Sequence, residues 1–445
     1  MMPESAARVV DQYPPDDWRE AELRTVADVH FSSVDKLIYP SEQPVRLCNY
    51  IDVYKNDYIT GGLEFMRASA TQPEIDRFGL EVGDVIITKD SETPDDIGVP
   101  AVVDYAAPDL VCGYHLGLIR RDKSKVDPTF LAKQIGHHRI ARYFGRQANG
   151  LTRYGLPIGA VERTLLWLPN PDEQRAVGNI FRLVDAAIAK TEAVIAKLKQ
   201  VRAGLLHDIL TCGLDEHGQL RDPIAHPEQF QDSPLGPIPN GWQVLSLETL
   251  ATVDRGKFTH RPRNDPAFYG GEFPFIQTGD VALAGDDPIT GASQTLSRRG
   301  VEASKEFPAG TIAVTIAANI GDTAILGCPM YFPDSVVGVV VSELHSVRWI
   351  ELALRRSKRT LNALAPQSAQ KNINLTFLRP LLLPVPEPHE QRRCSEAYER
   401  VSAHIKAEGE SLRKLAALRL GLMADLLTGR VRVPENLGGA GPIDP

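Results

Sequence analysis

Two stretches of this chain hold the residue types needed to grip a polyanion and to read polar edges. In the first, Arg139, Arg142, Tyr143 and Arg146 are followed by Arg153 and Tyr154. In the second, Gln367, Gln370, Lys371 and Asn372 form a polar run, and Arg261 and Arg263 make a proline-flanked basic turn far ahead of it. Fixed positive charge suits phosphate oxygens, while guanidinium, carboxamide and hydroxyl groups match the donor and acceptor pattern of base edges. In that chemistry Lys371 would take a phosphate while Gln370 or Asn372 meets a base. An ordinary solvated loop fits the same residues, and Tyr143 suits either stacking on a displaced base or packing on its own domain.

Other chemistries lack their parts. Gly61-Gly62 and Gly270-Gly271 carry neither the Lys-Ser/Thr nor the further glycine of a phosphate-cradling loop. His137-His138 has no carboxylate or cysteine at ligand spacing, so no metal site is expected. Asn319 lacks the prolines and aromatic residue of a methyl-transferring Asn/Asp-Pro-Pro-Tyr/Phe element. No catalytic residue is nominated, and the chain is expected to be non-catalytic by itself.

A formal net charge of −8 over 445 residues runs against a polyanionic partner, although the local field decides such binding. Basic clusters stand at 120–125, 137–146 and 355–359, and acidic ones at 1–22, 90–96 and 215–232. The 90–96 segment is expected to stay off phosphates. Five scattered cysteines point to a reducing cytoplasm and away from a Cys-built zinc site. Cys212 and Cys394 read as small apolar fillers. No apolar run is long enough to span a membrane, and the first residues lack the features of a signal peptide. A cytoplasmic protein without a membrane partner is therefore expected.

The elements that must carry these groups occur twice. Pro171-Asp172-Glu173-Gln174-Arg175 recurs as Pro388-His389-Glu390-Gln391-Arg392, 217 positions later, and at that offset 204–211 falls on 421–428. Trp18, Leu23, Ala27 and Val29 match Trp242, Leu247, Ala251 and Val253 at 224, and 80–88 resembles 307–315 at 227. Drift of a few residues is what loops of changed length between fixed elements would give. Two copies of a recognition unit, each tied to a helix, would offer two similar faces.

Each copy opens with a tryptophan and a short amphipathic helix, predicted at 20–29 and 245–253. Strands are predicted at 48–54, 85–88, 116–119, 273–278, 312–316 and 336–341, and short helices at 129–135 and 347–354. After Pro171 the chain runs to about Thr211 with apolar residues at Val177, Phe181, Val184, Ile188, Ile195, Leu198, Val201 and Leu205. The second such run carries Tyr398, Val401, Ile405, Leu412, Leu415, Leu422 and Leu426. A narrow stripe on a helix about 55 Å long needs a partner, and the other copy is the obvious one. Val184, Ile188, Leu198, Leu205, Val401, Ile405, Leu415 and Leu422 are nominated for helix or partner packing. An antiparallel pair leaves the linker a short gap to cross. The expected fold is α+β: two similar globular domains joined by two long helices packed as an antiparallel coiled coil. The domains are placed at 1–168 and 241–386, the helices at 169–211 and 387–430, a linker at 212–240 and a tail at 431–445.

At this point the chain resembles the specificity (S) subunits of type I restriction–modification systems. The residues that carry the likeness are Ile238-Pro239-Asn240-Gly241-Trp242, Gln277-Thr278-Gly279-Asp280, Gly310 and the run Gln367 to Ile373 before Leu383-Pro384-Val385-Pro386. Glu390-Gln391-Arg392, the helix ending Leu427-Thr428-Gly429, and Asn49 to Asn56 complete it. The resemblance implies target-recognition domains that each read half of a split, asymmetric double-stranded DNA sequence. It also implies helices that act as a ruler and dock two adenine-methylating M subunits, with a motor–nuclease R subunit able to join. S-adenosylmethionine would then belong to M, ATP and Mg to R, and no cofactor to this chain. The first copy departs from the pattern: it opens Pro15-Asp16-Asp17-Trp18, and has Leu151 to Leu156 where the second has Ser368 to Ile373. A duplicated protein-binding adaptor without DNA recognition is the alternative reading. Steep salt dependence of DNA binding would separate the two.

Overall fold

The computed structural model describes residues 13–260, 262–364 and 372–433. The chain forms two compact units, one of residues 1–192 with 410–445 and the other of 193–409. Both boundaries fall inside long helices, Pro171–Ile209 and Pro388–Leu426, each 39 residues or about 58 Å. Each unit therefore owns the first part of one helix and the last part of the other.

In the first unit the main sheet has the order Ala27–Phe31, Leu116–Arg121, Val85–Thr88, Pro100–Val103, Tyr58–Ile59. In the second unit the order is Ala251–Arg255, Val336–Val341, Ile312–Thr315, Thr323–Ile325. The first four strands correspond one to one. A two-stranded ribbon also repeats: Arg19–Glu22 pairs with Leu165–Leu168, and Gln243–Ser246 with Leu382–Val385, both antiparallel. Each unit adds a second small sheet, of three strands in the first and four in the second. The weak internal likeness of the sequence is a duplicated α+β fold.

The predicted opening helices are not helices. Residues 19–31 form two strands around the short turn Leu23–Thr25, and 243–255 form two strands around the single turn Leu247–Leu250. Buried Ala27 and Val29 flank exposed Asp28, a period of two, and a long strand lies ready to pair with them. The predicted strands at 48–54 and 273–278 are each a strand end followed by a helix, Tyr50–Lys55 and Thr278–Leu283. Both helices start with a reciprocal cap: Asn49 N–H donates to Asp52 Oδ2 at 2.9 Å, and Gln277 N–H to Asp280 Oδ2 at 2.7 Å. The short helices expected at 129–135 and 347–354 are present as Pro128–Gly136 and Val347–Arg356.

The core of each unit includes both helices. Trp18, Phe130, Val177 and Phe181 share a buried cluster with Leu426 and Leu427. Trp242, Trp349, Cys394 and Tyr398 share another with Ile209 and Leu210. In both units the start of one helix lies with the end of the other, which is the antiparallel sense. Away from the helix starts the stripe thins: Val184, Ile188, Leu198, Val401, Ile405 and Leu415 are half-buried and Val201 is 46 % exposed, while Leu205 and Leu422, also half-buried, pack against the cores near the helix ends. Cys394 is a buried filler, as its place in the periodicity suggested.

Candidate nucleic-acid interface

The repeated Glu-Gln-Arg tag fastens each fold to its helix. Gln174 donates from Nε2 to the Pro169 carbonyl at 2.9 Å and accepts the Asp127 N–H at 3.1 Å. Gln391 donates to the Pro386 carbonyl at 2.9 Å and accepts the Ser346 N–H at 2.8 Å. Both carboxamides are buried, so each satisfies main-chain groups that would otherwise be orphaned at the helix entrance. The neighbouring glutamates receive the end of the opposite helix. Glu390 binds Arg221, accepts the Leu214 N–H at 3.1 Å, and accepts Trp242 Nε1 at 3.2 Å. Glu173 binds Arg432 at 2.6 Å, and Arg432 reaches Asp17 at 2.9 Å. Gly213 (φ +65°) and Gly429 (φ +71°) turn the chain out of the helix ends, and a Cβ at either would collide with packed neighbours, among them Trp242 at Gly213 and Pro15 at Gly429.

A second pair of anchors sits along the helices. Arg419 donates to Asp57 at 2.9 Å in the first unit, and Arg202, its equivalent 217 residues earlier, binds Asp286 in the second. Around Asp286 gather Arg355, Arg202 and the Tyr398 hydroxyl. Burial opposes ionisation there, but the Arg355 hydrogen bond and charge, with the Arg202 charge, outweigh it and hold the carboxyl below its usual range. In the first unit Lys133 and Asp185 form a buried ion pair at 2.7 Å, with the Tyr58 hydroxyl on Asp185 at 2.8 Å.

These anchors consume most of the basic clusters. Arg120 is held by Asp84 and the Gly79 carbonyl, Arg121 by the Gly83 and Val126 carbonyls, and Lys125 by Asp122. Arg355 is held by Asp286 and Glu351, Arg356 by the Leu210 carbonyl at 3.0 Å, and Lys358 by Asp322. What remains is informative. Arg142 on the helix His138–Gln147 and Arg359 on the helix Lys358–Leu364 are both exposed, and among the described residues neither makes an ion pair. Arg146 and Arg153 are likewise exposed and unpaired.

The nominated residues separate accordingly. Arg139, Arg142, Tyr143 and Arg146 lie on the helix His138–Gln147. Arg139 is turned inward: its guanidinium lies 4.0 Å from the Trp167 ring centroid and donates to the Leu165 carbonyl at 2.9 Å. Tyr143 packs on its own domain, its hydroxyl donating to the Ala160 carbonyl at 3.1 Å. His137, which caps this helix, is buried, and burial followed by the His138 and Arg139 charges depresses its imidazole to about 4. Arg263 is paired with Asp334. Arg261, Gln367, Gln370 and Lys371 lie outside the described residues.

Both nominated loops return to the sheet in the same way. Gly155 pairs with Asp90 and the Leu156 N–H donates to the Lys89 carbonyl at 2.8 Å; Asn372 bridges Ala317 and the Ile373 N–H donates to the Ile316 carbonyl at 2.9 Å. Each partner follows the equivalent central strand, Val85–Thr88 or Ile312–Thr315. The acidic 90–96 segment is joined to the first loop through Asp90 and Ser91. Asp90 itself binds Lys89 at 2.9 Å and His115 Nδ1 at 2.8 Å.

Comparison with known proteins agrees with this geometry. The family described as "Type I restriction modification DNA specificity domain" matches residues 239–416. A Methanocaldococcus jannaschii chain assigned as the MjaX type I restriction enzyme specificity subunit is 21 % identical over 433 residues, covering 94 % of this chain and 95 % of that one. The MjaVIII specificity subunit of the same organism is 22 % identical over 297 residues, 60 % of this chain and 62 % of that one. Residues 239–416 thus carry a type I DNA specificity domain, and nearly the whole chain is similar to a specificity subunit. Among solved structures the S subunit from M. genitalium matches with a TM-score of 0.57 at 14 % identity, over 92 % of this chain and 96 % of that one. A chain from a study of assembly and conformational transition of the type I R-M system matches at 0.54 and 17 %, over 94 % and 100 %.

That likeness supports a DNA-recognition role for the chain. No group of three metal-ligating side chains is assembled among the described residues, and no described helix is long and apolar enough to cross a membrane. The Glu-Gln-Arg tag is visible in the sequence, but its work is not. The signal was present: Glu173 and Glu390 recur beside Gln174 and Gln391 at the same place in both helix entrances. Arg202 and Arg419 were equally findable at the 217 offset.

Proposed function

We propose that each globular domain of this chain reads one half of a split, asymmetric duplex target. The helix pair sets the distance between the halves and recruits two adenine-methylating M subunits. Where an R subunit is present it joins this assembly; S-adenosylmethionine is the M subunit's cofactor, and ATP and Mg the R subunit's. The observation that carries the reading is the duplication itself. Strand order, tag, anchors and loop attachment repeat, while the attached loops differ, Arg153-Tyr154 against Gln370-Lys371. Equal frames with unequal tips suit two different half-sites, and two similar helical faces suit two copies of one partner. Arg142 and Arg359 would be phosphate contacts of the first and second domain, with Arg146 and Arg153 added in the first.

The test is reconstitution. The purified chain alone should transfer no methyl group to DNA. With its methylase it should form a complex of one S and two M by light scattering, and methylate adenine in two separated half-sites. A single methylase per chain would overturn the stoichiometry, and methylation confined to one contiguous site would overturn the bipartite reading.

A further inference from the structure

We infer that the helix Arg298–Ala303, with Lys257 beside it, is a phosphate-gripping surface that the second domain has and the first lacks. The inference rests on the DNA-reading function proposed above and assigns residues to it that neither the basic clusters nor the nominated loops contain. Arg298, Arg299 and Lys257 are exposed, and among the described residues none is engaged in an ion pair. That sets them apart from 355–359, where only Arg359 is left over. The patch is also built. Ser297 caps the helix, accepting the Gly300 N–H and donating to the Ala267 carbonyl at 2.7 Å. Arg299 lies with its guanidinium 5.6 Å from the Phe268 ring centroid, and Thr259 N–H donates to the Ala303 carbonyl at 3.1 Å, joining the Lys257 segment to the helix end. A guanidinium resting on an aromatic ring loses little side-chain freedom when it meets a phosphate.

The equivalent helix of the first domain is Gln72–Phe78, placed by the 227 offset of the following strand. It carries Glu74 and Asp76, with Arg77 at its end. Glu74 is tied into the helix cap through the Thr71 N–H, so it is a fixed negative charge where the second domain presents arginines. Glu302 is the only acidic residue on the Arg298–Ala303 helix. The first domain cannot approach a phosphate chain with this helix, whereas the second can. The two half-sites are therefore gripped with different numbers of backbone contacts.

The experiment uses the full chain with its methylase on a duplex carrying the target and on a scrambled duplex, across a salt series. Each phosphate contact contributes about 0.9 to the slope of log affinity against log salt. The variant R298Q/R299Q should flatten that slope by about 1.8 on both duplexes, and adding K257Q should flatten it further. D76N on the first domain's helix should leave the slope unchanged. Retention of the wild-type slope by a folded R298Q/R299Q chain, checked by its unfolding curve, would overturn the inference alone. A wild-type complex that shows no salt-dependent DNA binding would overturn the DNA-reading function, and the inference with it.

Discussion

Arg419 donates from Nη1 to Asp57 Oδ2 at 2.9 Å, tying the last part of the second long helix to the first globular fold. Arg202 makes the corresponding bond to Asp286. Each fold is thus held by the helix that ends in its unit as well as by the one it feeds. Asp286 is the better buried and more heavily paired of the two aspartates. Replacing Arg202 by Ala leaves Arg355 as its only cationic partner, beside the Tyr398 hydroxyl, and the second unit should lose about 1–3 kcal/mol in denaturant unfolding. No measurable loss would mean that Arg355 alone suffices.

The same carboxylate predicts an acid effect. Its folded pKa is depressed, so its contribution is complete above the unfolded value and is lost as pH falls through the folded one. Stability of the wild type should therefore drop below about pH 4, and D286N should show a shallower drop over that range. Parallel pH profiles for the two chains would contradict the assignment.

His137 gives a second window. Its imidazole, held at about 4 by burial, stays neutral in the folded chain, while the unfolded chain takes up a proton below about 6.5. The unfolded state binds more protons between those values, so stability should rise with pH from about 4 to 6.5, by about 3 kcal/mol at most. H137N keeps a capping side chain on the helix His138–Gln147 and removes this titration, so its profile should rise less steeply across that window than the wild type's. A wild-type profile already flat there would contradict the burial argument.

The carboxamides of the tag should matter more than their size suggests. Gln391→Ala deprives the part-buried Ser346 N–H and the buried Pro386 carbonyl of partners and should cost about 2–4 kcal/mol. Gln391→Glu keeps the acceptor and loses the donor, and should fall between wild type and Ala. Equal stability of all three chains by urea titration would show that water replaces the side chain.

Leu198 and Leu415 are half-buried towards the middle of the helices, away from the large cores. Placing Asp at either position should weaken assembly with the methylase at least tenfold, because an unpaired carboxylate resists burial. Complexes of unchanged affinity, measured by titration, would make these positions solvent-facing.

The long helices, their antiparallel sense and the duplication were legible in the residues, because a 217 offset and a seven-residue stripe survive drift elsewhere. The opening segments were misread. Leu23, Ala27 and Val29 satisfy a helical spacing, and only the neighbouring strand Leu116–Arg121 makes a period of two pay off. The site was half legible. Exposed Arg142 and Arg146 follow from charge, but Arg139 differs from them only through Trp167, a residue 28 positions away whose ring it covers. Charge runs at 120–125 and 355–359 read as a footprint until their aspartate and carbonyl partners, distant in sequence, are in place.

The central claim is one domain for one half-site. Its direct measurement is the sequence motif around methylated adenines, read by sequencing, for the wild-type chain and for a chimera whose residues 241–386 come from another specificity subunit. The account predicts that one half of the motif stays and the other is replaced at unchanged spacing. Replacement of both halves, or of neither, would contradict it.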